Sequence, residues 1–130
     1  FTVGFPNPDV QGSAAKYTEG SISSLSGIQD DIRTMQITVP IQGGNSGGAL
    51  VDKSGNVTGL VVAQLNAIEI LKYTGTIPQN VNFAVKISYA LPLVQSVPNL
   101  SRRLPPPNRK VADGIVKAVT SATGLVLVGK

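Results

Sequence analysis

The sequence predicts an all-β domain, a closed barrel of six short antiparallel strands, and three observations carry that expectation. Fourteen glycines and nine prolines in 130 residues leave little room for long helices, because both residues weaken a helix interior. Six stretches ahead of residue 87 alternate apolar and polar side chains, or run briefly apolar between turn residues. Strands this short and numerous expose their edges unless the sheet closes on itself. Hydrophobic residues make up 42% of the chain and charged residues 14%. That balance supplies a buried core and excludes a disordered polymer.

The first strand covers residues 1–5, Phe1-Thr2-Val3-Gly4-Phe5. Its start inside a strand-like run reads as a cut end left by processing or proteolysis. Residues 17–25 form the second, with Thr18, Gly20, Ile22 and Ser24 interleaved with Glu19, Ser21 and Ser23. Residues 33–39 form the third, with Met35, Ile37 and Val39 on one side and Gln36 and Thr38 on the other. Residues 49–52 and 57–64 follow, joined by Lys53-Ser54-Gly55-Asn56, a connection short enough for a hairpin. Residues 80–86 complete the six. Pro6-Asn7-Pro8-Asp9, Ser26-Gly27 and Ile77-Pro78-Gln79-Asn80 supply turn chemistry between them.

The texture changes after Lys86. Residues 88–95 read as a short helix with Ser88 as N-cap and Pro92 in its first turn. Residues 101–110 hold three consecutive prolines among basic residues, which favours an extended linker. Val111, Ile115, Ala118, Val119 and Ala122 fall at helical spacing, and residues 125–128 look like a strand. The chain therefore divides into a barrel at 1–96, a Pro-rich basic linker at 97–110 and a helix/strand tail at 111–130.

The net charge of +4 is concentrated in that tail. Residues 1–101 carry five Lys/Arg against six Asp/Glu, whereas residues 102–130 carry six Lys/Arg against Asp113 alone. The basicity is therefore a property of a solvated tail, and no nucleic-acid partner is expected. No run of 18 apolar residues is present, so no membrane span is expected. The chain has neither cysteine nor histidine. It offers no disulfide framework and no metal site, Asp30-Asp31 being an isolated acidic pair in a turn. No cofactor is expected either.

One stretch carries chemistry: Gly43-Gly44-Asn45-Ser46-Gly47-Gly48, running into Ala49-Leu50-Val51. Acyl transfer places negative charge on a carbonyl oxygen, and two backbone N–H groups aimed at it stabilise the tetrahedral intermediate. Aiming consecutive N–H groups into one concavity takes dihedrals that glycine adopts freely. Ser46 is the expected nucleophile, and the N–H groups of Gly44 and Ser46 the expected oxyanion hole. A plain flexible turn is the bland alternative; the strands on both sides argue against it. Gly44-Asn45-Ser46-Gly47-Gly48 also fits the Gly-x-Ser-x-Gly elbow of α/β-hydrolases, but a hairpin rather than a helix follows, and no histidine exists. Ser13-Ala14-Ala15-Lys16 matches Ser-x-x-Lys without its partner motifs, and no Lys-Ser/Thr follows the glycines as a phosphate loop requires.

Three motifs in order, Gly44-Asn45-Ser46-Gly47-Gly48-Ala49-Leu50-Val51, Gly55-Asn56-Val57-Thr58-Gly59-Leu60-Val61 and Asn82-Phe83-Ala84-Val85, resemble the C-terminal half of a trypsin-like serine peptidase, closest to the bacterial HtrA-type branch. The similarity covers about residues 1–96. The resemblance implies the second of two six-stranded antiparallel Greek-key β-barrels, with the histidine and aspartate of the triad on an upstream barrel. It implies a serine endopeptidase working through an acyl-enzyme on Ser46, with Asn45 holding the turn; the 130 residues alone lack the base and are expected to be inactive. Val39, Pro40 and Ile41 would line the pocket for the residue before the scissile bond. Val61, Val62, Ala63 and Gln64 would form the substrate-pairing edge, and Phe83 and Ala84 the opposite wall. No carboxylate lies among these, so the residue at the cleavage position is expected to be small or medium and apolar. Partners would be protein or peptide substrates and the missing N-terminal barrel, or a second copy through the uncovered face. The resemblance places the protein in the bacterial cell envelope or outside the cell. The alternative is a non-catalytic peptidase-like module that grips extended peptides by strand addition.

Overall fold

The computed structural model describes residues 1–62, 72, 75–76, 79–111 and 113–125. Seven strands form one antiparallel sheet: β1 (Thr2–Gly4), β2 (Lys16–Thr18), β3 (Ile22–Ser24), β4 (Thr34–Ile37), β5 (Ala49–Val51), β6 (Val57–Val62) and β7 (Asn82–Lys86). Their order across the sheet is β2-β1-β5-β6-β7-β4-β3. Each of the six expected stretches holds strand, although residues 63–64 of the stretch 57–64 lie outside the described residues. The expectation of a closed six-stranded barrel is corrected: the stretch 17–25 is two strands, and the sheet is a curled half-barrel whose outer strands, β2 and β3, do not pair with each other.

Gly20 is the physical reason for the split. β2 and β3 lie at opposite edges of the sheet, yet only residues 19–21 separate them. Three linking residues bridge at most about 14 Å between the flanking Cα atoms, so the sheet must curl until its edges nearly meet. At the bend the backbone presses against the two residues that follow β4: a Cβ on Gly20 would lie 2.6 Å from the Val39 nitrogen and 2.8 Å from Thr38 Oγ1. Thr38 N–H donates to the Ser21 carbonyl at 2.9 Å and fixes the crossing. A cavity of about 240 Å³ remains where closure stops, between Tyr17 and Ile22 on one side and Val39 and Leu50 on the other.

The core follows the period-two pattern of residues 35–41. Met35, Ile37, Val39 and Ile41 are all buried and cluster with Leu50, Val61 and Ala84. β6 and β7 pair with Val61 opposite Ala84, and β7 and β4 pair with Met35 opposite Ala84. Gly59 leaves room for Met35 to reach across: a Cβ there would lie 2.5 Å from Met35 Cε. The hairpin expected at 53–56 forms, with Leu50 opposite Gly59. Asp52 holds its turn, accepting from the N–H groups of Ser54 (2.8 Å) and Asn56 (2.9 Å). Desolvation pushes the Asp52 carboxyl up, but the hydrogen bonds from Asn56, Ser54 and Gly55 outweigh it and hold its pKa below the ordinary value.

Helices supply the remainder. The expected turn at Pro6–Asp9 extends instead into a short helix, α1 (Pro8–Gln11), with Pro8 at its start. The helix expected at 88–95 begins later: a 3-10 turn at Ile87–Tyr89 precedes α2 (Leu91–Ser96), and Ala90 replaces Ser88 at the cap position. The linker is not extended from its start, because α3 (Leu100–Arg103) occupies its first turn. The helical spacing in the tail appears as α4 (Ile115–Ala122). Of the strand expected at 125–128, residues 126–128 lie outside the described residues. Arg33 grips both carboxylate oxygens of Asp31, at 2.9 and 3.1 Å. No helix among the described residues is long and apolar enough to cross a membrane.

Candidate active site

The glycine-framed loop is two consecutive tight turns. Asn45 N–H donates to the Gln42 carbonyl at 3.0 Å, and Gly48 N–H donates to the Asn45 carbonyl at 3.0 Å. The third residue of each turn is a glycine at positive φ, Gly44 at 100° and Gly47 at 81°, which is the type II pattern. At Gly44 the requirement is also steric, since a Cβ would collide with the Phe5 carbonyl oxygen and lie 3.0 Å from Pro6 Cα. Asn7 N–H ties the first turn down through the Gly43 carbonyl at 3.2 Å. Gly47 N–H and Gly48 C=O tie the second turn to the C=O and N–H of Val61, both at 2.8 Å.

This arrangement leaves Ser46 exposed at the first central position of the second turn. The N–H groups of Gly44 and Ser46 donate to no acceptor among the described residues. Asn45, between them, is buried, and its Oδ1 has no hydrogen-bond partner. It seats against β1, where a Cβ on Gly4 would come within 2.5 Å of Oδ1. The loop thus presents one exposed hydroxyl and two uncommitted backbone donors, groups of the kind that stabilise an oxyanion.

A cleft of about 460 Å³ opens beside Ser46. Residues 3–5, the loop 44–49 and residues 122–125 line it, and none of these side chains is titratable. A base for Ser46 is thus absent from the cleft as described.

The remaining expected site residues are distributed differently. Val39 and Ile41 point into the core, and Pro40 between them is exposed. Phe83 and Ala84 are buried on β7, and Val61 is buried on β6 with its polar backbone already bound to the serine loop. Val62, 40% exposed, ends β6 opposite Phe83. Ala63 and Gln64 lie outside the described residues. None of Val39, Pro40, Ile41, Val61, Val62, Phe83 or Ala84 lines the cleft beside Ser46.

Asn82, the first residue of the third motif, has a structural role that the motif alone does not assign. It is 3% exposed, and its Nδ2 donates to the Val39 carbonyl at 2.8 Å, tying the segment ahead of the serine loop to β7. The available signal was an amide inside the apolar run Val81-Asn82-Phe83-Ala84-Val85, since a buried polar group must find a partner. Asn82→Ala strands the Val39 carbonyl and is expected to destabilise the fold by about 1–3 kcal/mol. Urea unfolding measures this, and an unchanged midpoint contradicts the tie.

The family model described as Trypsin-like peptidase domain matches residues 1–60, which supports a trypsin-like fold. The uncharacterized protein y4bJ of Sinorhizobium fredii is 47% identical over 83 residues, covering 64% of this chain. The match spans only 13% of that protein's length.

Proposed function

We propose that this chain is the second barrel of an HtrA-like serine endopeptidase, one of two Greek-key units, with Ser46 as nucleophile. The observation that carries the reading is the pair of uncommitted N–H groups at Gly44 and Ser46 on either side of buried Asn45. Ser46 Oγ attacks the peptide carbonyl carbon, and its proton passes to a histidine on an upstream barrel. The two N–H groups hold the resulting oxyanion. The C–N bond then breaks, the amine leaves with the proton, and water hydrolyses the acyl-serine.

The peptide lies extended along residues 62–64, beyond Val61, whose own N–H and C=O are committed to the serine loop. The described residues that line the cleft beside Ser46 carry no charge, which favours an apolar residue before the scissile bond. The protein acts in the bacterial cell envelope or outside the cell.

Treating the full-length protein with a fluorophosphonate and mapping its peptides tests the reading. An adduct on Ser46, lost in Ser46→Ala, is the expected result. Folded full-length protein with no adduct overturns it and leaves a peptide-gripping module without catalysis.

A further inference from the structure

The segment that leaves the barrel after β7 is fastened at both ends and largely uncovered along its length. The 3-10 turn at Ile87–Tyr89 carries the chain from β7 into α2, and Leu100 N–H donates to the Val97 carbonyl at 3.2 Å as α3 begins. Further on, Asn56 Nδ2 donates to the Asn108 carbonyl at 2.7 Å, and Asn108 N–H donates to Asn56 Oδ1 at 2.8 Å. The second Asn56 amide proton goes to Asp52 Oδ2 at 3.0 Å, which fixes the amide orientation. Along this strap the aliphatic side chains of Leu91, Leu93, Val97, Leu100, Leu104 and Val111 are exposed, Leu93 by 73% and Val111 by 72%. Four cations lie among them, Arg102, Arg103, Arg109 and Lys110, and residues 91–111 contain no Asp, no Glu and no aromatic residue. None of the four cationic side chains has a hydrogen bond or an ion pair among the described residues.

We propose that residues 91–111 dock on an anionic lipid surface, with the four cations at the headgroup phosphates and the exposed aliphatic side chains at the acyl boundary. One partner then meets both needs of the strap. Cations near such a surface are drawn by its negative potential, and leucine side chains gain by leaving water. No carboxylate in the strap opposes the approach. The chain runs into Pro105, Pro106 and Pro107 with Leu104 already extended, at a φ of −77° and a ψ of 129°. Prolines suit a lipid boundary because they carry no N–H that would lose its water partner there. A nucleic acid would attract the same cations, but its bases stack on aromatic side chains, and the strap has none. The contact is peripheral, since no helix among the described residues is long and apolar enough to cross a membrane. Through the Asn56–Asn108 clasp the strap carries the barrel with it.

Sedimentation of the whole chain with lipid vesicles tests this. Vesicles of equal parts phosphatidylglycerol and phosphatidylcholine are expected to carry the protein down, and vesicles of phosphatidylcholine alone to leave it in solution. Replacing both arginines of α3, Arg102→Ser with Arg103→Ser, is expected to weaken binding by about thirtyfold, roughly fivefold for each cation. Leu93→Ser with Leu104→Ser is expected to weaken it by about tenfold, because burying a leucine at the boundary contributes alongside the charges. All four side chains are exposed, so both variants keep the fold. No sedimentation with the anionic vesicles overturns the proposal, and so does equal binding to both vesicle types. Full binding by the leucine variant also overturns it, because that result reduces the strap to a charge patch of the kind an acidic protein or a nucleic acid would share. Vesicle binding is read without catalysis, so a missing fluorophosphonate adduct on Ser46 leaves it standing.

Discussion

Gly44→Ala is expected to slow fluorophosphonate labelling of Ser46 in the full-length protein by about 10²–10³-fold, the effect of losing one oxyanion donor. The cause is local. Gly44 sits at a φ of 100°, a conformation L side chains resist, and an added methyl would collide with the Phe5 carbonyl oxygen. The 42–45 turn must rotate away from the end of β1, which turns the Gly44 N–H away from the direction the proposed oxyanion hole needs. The strain itself costs on the order of 1–3 kcal/mol, small enough for the sheet to survive. Circular dichroism separates the two effects, because a folded protein with lost labelling isolates the turn. Labelling at the original rate removes Gly44 from the oxyanion hole.

Ile37→Ala is expected to lower stability by about 2–5 kcal/mol. Ile37 is fully buried, with Met35, Val39, Leu50, Val61 and Ala84 in the same cluster. It also stands opposite Asn82 on β7 and Ile22 on β3, so the cavity would open where three strands meet. A domain of this size has about 5–15 kcal/mol in total, so the variant would unfold at a much lower urea concentration. Ile37→Val, which removes one methylene, is expected to lose only about 0.5–1.5 kcal/mol. A loss below about 1 kcal/mol for the alanine variant would place the core elsewhere.

Local periodicity and turn chemistry made the strands legible. The alternation of Met35, Ile37 and Val39 is a property of adjacent residues and appears unaltered in the burial pattern. The serine loop was legible for a similar reason, since the positive φ values at Gly44 and Gly47 fall on residues whose type permits them. The break at Gly20 was not, because it arises from the approach of Thr38 and Val39, eighteen residues downstream and more. The pocket walls were placed too freely: the period that identified β4 continues through Ile41 and turns Val39 and Ile41 into the core. The Asn56–Asn108 clasp spans 52 positions, and no local pattern announces such a contact.

The outermost strands of the sheet are neighbours in the chain, and this has a consequence for aggregation. An open sheet normally presents two free borders on which other chains can grow. Here Glu19, Gly20 and Ser21 fold the two borders toward each other, so each stands in the way of an incoming strand at the other. The short link is thus a covalent guard against polymerisation, and a backbone nick at Gly20 would turn a scroll into a ribbon with two sticky rims.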